Sequence, residues 1–189
     1  MVARVILRQL MVKNVGRFWR SDLVFWGSPG RKGRLLGRSQ DARRGPVADF
    51  WEQTGLYALY AGYKLVYVGQ TDRRGLGKRL KDHRADDLSG RWDRFSWFGF
   101  RHVDREGRLS KAPASRYVSM KTVFDHMEAV LIEVAEPPMN GQTGRFGDRV
   151  RWFEQVPAPE PSDPNIDSIQ RGISDIRLRL DELTRTPSK

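Results

Sequence analysis

The chain has no cysteine among its 189 residues, which rules out disulfides and thiolate metal sites. Nor does any apolar run approach the ~18 residues that a membrane helix requires. The opening stretch MVARVILRQLMVKNVGRFWR is basic and apolar, but Arg8 and Lys13 interrupt it and no small-residue cleavage site follows. That pattern speaks against a secretory signal. A soluble protein of the cytoplasm is therefore expected.

Acidic residues are scarce at one end only. Residues 1–50 carry 11 Lys/Arg against 3 Asp/Glu, and the remaining stretches are close to balance, so most of the +11 formal charge is N-terminal. Cations gathered at one end suit a polyanion, because each neutralised phosphate releases condensed counterions. Nucleic acid is the expected partner, and Arg31, Lys32, Arg34, Arg38, Arg43, Arg44 and Lys78 are the expected phosphate contacts. What is present besides charge points to a folded core. Hydrophobic residues make up 39% and there are six tryptophans, in a chain long enough for one core plus an appendage.

Composition divides the chain into four segments. Residues 1–49 read as a basic extension or arm, with loops at Gly30–Arg34 and Asp41–Pro46 and a β-hairpin over Gly16–Gly27 turning at Ser21-Asp22. Trp19 and Trp26 are expected to cover a core face. Residues 50–156 read as the compact domain. Leu56–Tyr60 and Leu65–Val68 predict a hairpin, Gly75–Leu88 a helix, Arg94–Phe100 a strand and Ser119–Val134 an apolar helix that stops before Pro137-Pro138. Residues 157–165 are a proline-rich linker. In 166–189, Ile166, Ile169, Ile173, Ile176, Leu180 and Leu183 alternate spacings of three and four, the seam of a short amphipathic helix. It would either pack on its own domain or join a homodimer.

Several polar residues of the compact domain suit phosphodiester chemistry, which needs an activated water, a base and stabilisation of charge on the phosphate. Arg79 and His83 stand four apart, on one face of the predicted helix. Glu128 is a carboxylate within the apolar run Met127–Ile132; facing inward it would either protonate or hold a cation, and facing outward it would be solvated, as Glu133 is expected to be. Tyr57 and Tyr67 depend on hairpin register. A three-residue loop at Ala61–Tyr63 sets them directly opposite on one face, while a loop of two or four residues throws them to opposite faces.

Gly55-Leu56-Tyr57 and Tyr67-Val68-Gly69 resemble the paired motifs that name the GIY-YIG nuclease family, with Leu and Val each in place of Ile. Lys78–His83 resembles that family's first-helix Arg with its trailing His. Glu128–Ile132 followed by Pro138-Met139-Asn140 resembles its metal-binding Glu helix and distal Asn. The likeness covers somewhat over half the chain. It implies an α/β (α+β) fold, a small three-stranded antiparallel sheet flanked by helices. It also implies an endonuclease with one divalent ion, Mg²⁺ or Mn²⁺, held by Glu128. Tyr57 would position or deprotonate the water with Tyr67 in support, Arg79 and His83 would steady the phosphate, and Asn140 would fix the far wall. DNA is favoured over RNA, in a restriction-like or defence role. The alternatives are a structure- or single-strand-specific repair nuclease and a non-catalytic nucleic-acid-binding module.

Overall fold

The structure, a computed structural model, describes residues 11–41, 45–71, 73–111, 120–135, 146 and 150–160. The chain divides into two units, Met1–Pro159 and Glu160–Lys189. All but one of the described residues belong to the first.

That first unit is built on one sheet. In chain order its strands are β1 (Asn14–Arg20), β2 (Leu36–Ser39), β3 (Val47–Asp49), β4 (Gly55–Ala61), β5 (Lys64–Gln70), β6 (Arg94–Gly99) and β7 (Arg151–Val156). Helix α1 (Leu76–Asp82) follows β5, and α2 (Met120–Ala135) follows β6. The spatial order is β3-β2-β7-β1-β6-β4-β5, with β1 and β7 parallel and every other pair antiparallel. The expected three-stranded sheet flanked by helices is thus corrected: this is a seven-stranded mixed sheet with two α-helices among the described residues.

The reason lies in residues 14–49. Counted by charge they look like an arm, but the described cations fall at exposed or half-exposed positions and most of the apolar residues between them are buried. Val15, Trp19, Leu35, Leu36 and Ala48 are each at most 9% exposed. The expected hairpin at Ser21-Asp22 does not form either. β1 already bonds β6 on one edge and β7 on the other, so the chain leaves it through a 3-10 turn at Ser21–Leu23. Phe25 then bridges Arg34 instead.

Strand alternation sorts the apolar side chains onto two faces. One face gathers Trp19, Phe50, Tyr57, Leu59, Phe95 and Trp97, and α1 closes it with Leu76 and Leu80. The other gathers Val15, Ala58, Tyr60 and Phe98, and α2 closes that one with Ala129, Val130 and Val134. β4 is buried on both sides, which its unbroken apolar run Leu56–Ala61 requires. β5 is the sheet's edge and alternates between exposed and half-exposed. The predicted helices and the strand at Arg94 occur close to their expected bounds, although α1 stops at Asp82, well short of Leu88. The apolar seam from Ile166 to Leu183, and with it the homodimer expectation, lies outside the described residues. No helix among the described residues is long and apolar enough to cross a membrane.

Candidate active site

The site begins with a turn. Ala61 pairs with Lys64, so the hairpin loop is the two residues Gly62-Tyr63, which alone would send Tyr57 and Tyr67 to opposite faces. A bulge corrects this. Leu59 pairs with Tyr67 while Tyr60 pairs with Leu65, leaving Val66 as one extra residue on β5. The inserted residue inverts the alternation once more. Tyr57 lies across from Gly69, two pairs along from Leu59 and Tyr67, and both tyrosines share the α1 face. Their ring centroids are 6.2 Å apart, diagonal neighbours rather than directly opposed.

Both motif glycines are fixed by close approach. A Cβ on Gly69 would enter the Tyr57 hydroxyl and the Tyr67 ring edge. Gly55 has a φ of +153°, and a Cβ there would meet the Phe98 carbonyl oxygen. The glycine at 69 is therefore the space in which the Tyr57 ring lies.

From α1, Arg79 and His83 approach those rings. His83 is 2% exposed, and its Nε2 is 2.7 Å from the Tyr57 hydroxyl oxygen. Its Nδ1 is 2.6 Å from Asp86 Oδ2. Arg79 is half-buried and reaches the phenol oxygens of both Tyr57 and Tyr67. Burial pushes the Tyr57 phenol up to about 12 against a smaller opposing pull from Arg79, so it keeps its proton at neutral pH. At Asp86 burial acts upward as well, but the Leu88 N–H, His83 and Arg79 together hold the carboxyl below its ordinary value. An ionised carboxylate only accepts hydrogen bonds. A neutral His83 therefore carries its proton on Nδ1 and offers a bare Nε2 to the Tyr57 O–H.

The structure brings together Tyr57, Tyr67, Arg79 and His83, and adds Asp86, which the sequence reading missed. The available signal was the turn Asp86-Asp87-Leu88-Ser89-Gly90 three residues past His83, where an Asp at the start of a turn bonds backbone two residues on. Leu88 N–H does donate to Asp86 Oδ1 at 2.9 Å.

Glu128 does not join them. It is exposed on α2, and its neighbours Ala129 and Val130 pack on the sheet face opposite to Tyr57. The buried carboxylate of α2 is instead Glu133, 3% exposed and 3.4 Å from Arg17 Nε. The expected orientation of Glu133 is thus reversed, and Glu128 takes the solvated one of its two. Five positions (129, 130, 133, 134 and 126) define the buried stripe, and 128 lies off it. No group of three His, Asp or Glu able to hold a metal occurs among the described residues. Exposed on the sheet face opposite Tyr57, Glu128 is not placed to hold an ion beside the phenol and Arg79. Asn140 lies outside the described residues.

No family model, curated protein or solved structure matches the chain.

The expected phosphate contacts are dispersed. Lys32 is paired with Glu52, Arg34 with Asp49 at 3.3 Å and Lys78 with Asp82 at 3.1 Å. Arg38 lines an open polar hollow with Ser39, Gln40, Glu154 and Gln155. Arg31 is exposed, and Arg43 and Arg44 lie outside the described residues. These surface pairs are weak, worth about 0–1 kcal/mol each, so a polyanion can displace their carboxylates.

Proposed function

We propose that this protein is an endonuclease that hydrolyses phosphodiester bonds in nucleic acid, DNA in preference to RNA, in the cytoplasm. The observation that supports it most is the buried contact between the Tyr57 hydroxyl and His83 Nε2 at 2.7 Å, with Arg79 beside the phenol. The GIY-YIG resemblance names the same residues from sequence. A phenol that holds its proton to about 12 is a poor base alone. With a bare imidazole nitrogen behind it, it becomes a relay. As water attacks phosphorus, its proton passes to the Tyr57 oxygen while the proton of Tyr57 passes to His83 Nε2. The new O–P bond forms, the ester P–O bond breaks, and the departing oxygen takes a proton from solvent. Arg79 supplies planar donors to the phosphate oxygens and to the developing charge on Tyr57.

The resemblance implies Mg²⁺ or Mn²⁺ at Glu128, but no step here runs through an ion there, and the relay is built from the chain's own groups. The test is cleavage of plasmid, single-stranded DNA and RNA, with Mg²⁺, with Mn²⁺ and with chelator. The parent is expected to cut DNA, and Tyr57→Phe to cut it about 10²–10⁴-fold more slowly. Absence of cleavage on all three substrates, or a Tyr57→Phe variant as fast as the parent, overturns the reading. Retained binding without cleavage would establish the non-catalytic nucleic-acid-binding module in its place.

A further inference from the structure

Asp86 has no part in the resemblance, yet both of its carboxylate oxygens are engaged, although the side chain is 42% exposed. Its Oδ2 lies 2.6 Å from His83 Nδ1, and its Oδ1 accepts the Leu88 N–H at 2.9 Å. One oxygen is therefore tied to backbone and the other is aimed at the ring. The backbone that ties it is itself held. Leu88 packs against the main core cluster, and the His83 carbonyl accepts the Trp92 indole N–H at 3.3 Å. His83 is a 2% exposed ring between a phenol and a carboxylate, with Tyr67 5.1 Å from it centroid to centroid.

We propose that Asp86 is a positioning residue: it fixes His83 in the Nδ1–H tautomer and so makes Nε2 the acceptor for the Tyr57 proton. The tautomer assignment stands on the geometry alone, and its catalytic consequence rests on the nuclease reading above. The chemical logic is that a neutral imidazole has one donor and one acceptor nitrogen, and whatever bonds one nitrogen decides the other. A carboxylate at Nδ1 leaves Nε2 bare. Without it, the ring is free to put its proton on Nε2, where it would donate to the Tyr57 oxygen and block the relay. Asp86 touches neither substrate nor reacting atoms, and acts only through His83.

The backbone contact makes one substitution decisive. In Asp86→Asn, the Leu88 N–H must still meet an oxygen, so the amide carbonyl takes the Oδ1 position. The amide nitrogen then faces His83 Nδ1 as a donor, which forces the ring into the Nε2–H tautomer. The variant keeps shape and turn while inverting the proton. Asp86→Ala removes the preference without imposing the opposite one.

The experiment is nitrogen-15 imidazole spectroscopy of the full chain and both variants at neutral pH, beside cleavage kinetics and thermal melts. The chain has three histidines, so His102→Gln and His126→Gln spectra identify the His83 signals. Expected are a protonated Nδ1 in the parent, a protonated Nε2 in Asp86→Asn and a mixture in Asp86→Ala. The kcat of Asp86→Asn should fall by about 10²–10⁴-fold with KM nearly unchanged, the size seen when a histidine is held in the wrong tautomer. Asp86→Glu should recover part of the rate. A parent already protonated on Nε2, or an Asp86→Asn variant with the parent's tautomer, overturns the assignment. The expected tautomers with no cleavage by the parent uphold the positioning role and sink the nuclease reading instead. Expected tautomers with unchanged kcat in a cleaving enzyme overturn the catalytic consequence.

Discussion

At the scale of single residues, the site depends on groups that burial holds away from their ordinary behaviour. Tyr57 is fully buried, and its phenol is raised to about 12, so the folded state favours the neutral form. In the unfolded chain the phenol ionises near its ordinary value of about 10. The sign of the linkage follows. Stability from this group is complete below pH 10 and is lost as pH rises from there towards 12. Thermal melts between pH 8 and 11 should show the parent losing stability above pH 10. Tyr57→Phe should lose less over the same range. Equal slopes for the two proteins would show that the phenol does not titrate differently on folding.

The two glutamates of α2 give a second prediction at this scale. Glu133 is buried against Arg17, so Glu133→Ala removes the carboxylate that this guanidinium meets and leaves a gap. A cost of about 1–3 kcal/mol is expected, discounted from a fully buried pair because Arg17 remains 39% exposed. That corresponds to a melting temperature several degrees lower. Glu128 is exposed, so Glu128→Ala should melt with the parent. If Glu128→Ala is the destabilised variant and Glu133→Ala the silent one, α2 is rotated from the orientation described.

At the scale of elements, the β4–β5 hairpin decides whether there is a site. A two-residue loop and one bulge together produce the shared face that either alone would destroy. Deleting Val66 should restore regular pairing with Tyr67 still opposite Leu59, so that both tyrosines keep the shared face. The expected result is a folded protein that still cleaves, because the tyrosines stay together and β5 is an edge strand whose side chains carry little of the core. Gly69→Ala tests the same hairpin from the other side. The added methyl has nowhere to go but into the Tyr57 ring, and overpacking of this kind costs about 1–3 kcal/mol. Fluorescence-detected melts with parallel cleavage assays check both. A Gly69→Ala variant with the parent's stability and rate would mean that the ring does not lie over residue 69.

At the scale of the whole molecule, residues 14–49 are part of the sheet rather than an arm. β1 stands between β7 and β6, and Trp19 meets Phe50, Phe95 and Trp97 in edge-on ring contacts of 5.2–6.1 Å. Removing residues 1–49 should therefore abolish the cooperative thermal transition, not merely weaken nucleic-acid binding. A truncated chain that melts cooperatively would contradict the place given to β1. The surface cations are better probed one residue at a time. An Arg31→Ala or Lys78→Ala change that takes away one cation–phosphate pair should lower the log–log salt slope by about 0.9 on duplex DNA.

The sequence by itself named four of the side chains that the structure brings together, and the local elements. Tyr57, Tyr67, Arg79 and His83 were legible because motif spacing and helical period are local properties, readable within a few turns of chain. So were the two long helical and strand runs around α2, β4 and β6, whose apolar periods are strong. What only the tertiary structure decided depends on pairs far apart in sequence. The seven-strand order needs β7 to come back beside β1, more than 130 residues away, and no local pattern encodes which edge a strand will take. The bulge at Val66 is one residue's slippage, set by how the hairpin packs on α1 and β6. Which of Glu128 and Glu133 faces inward turns on α2's rotation against Ala58, Tyr60 and Phe98, a packing choice between two apolar stripes of similar strength. Asp86 needed the turn after α1 to fold before its carboxylate could meet His83.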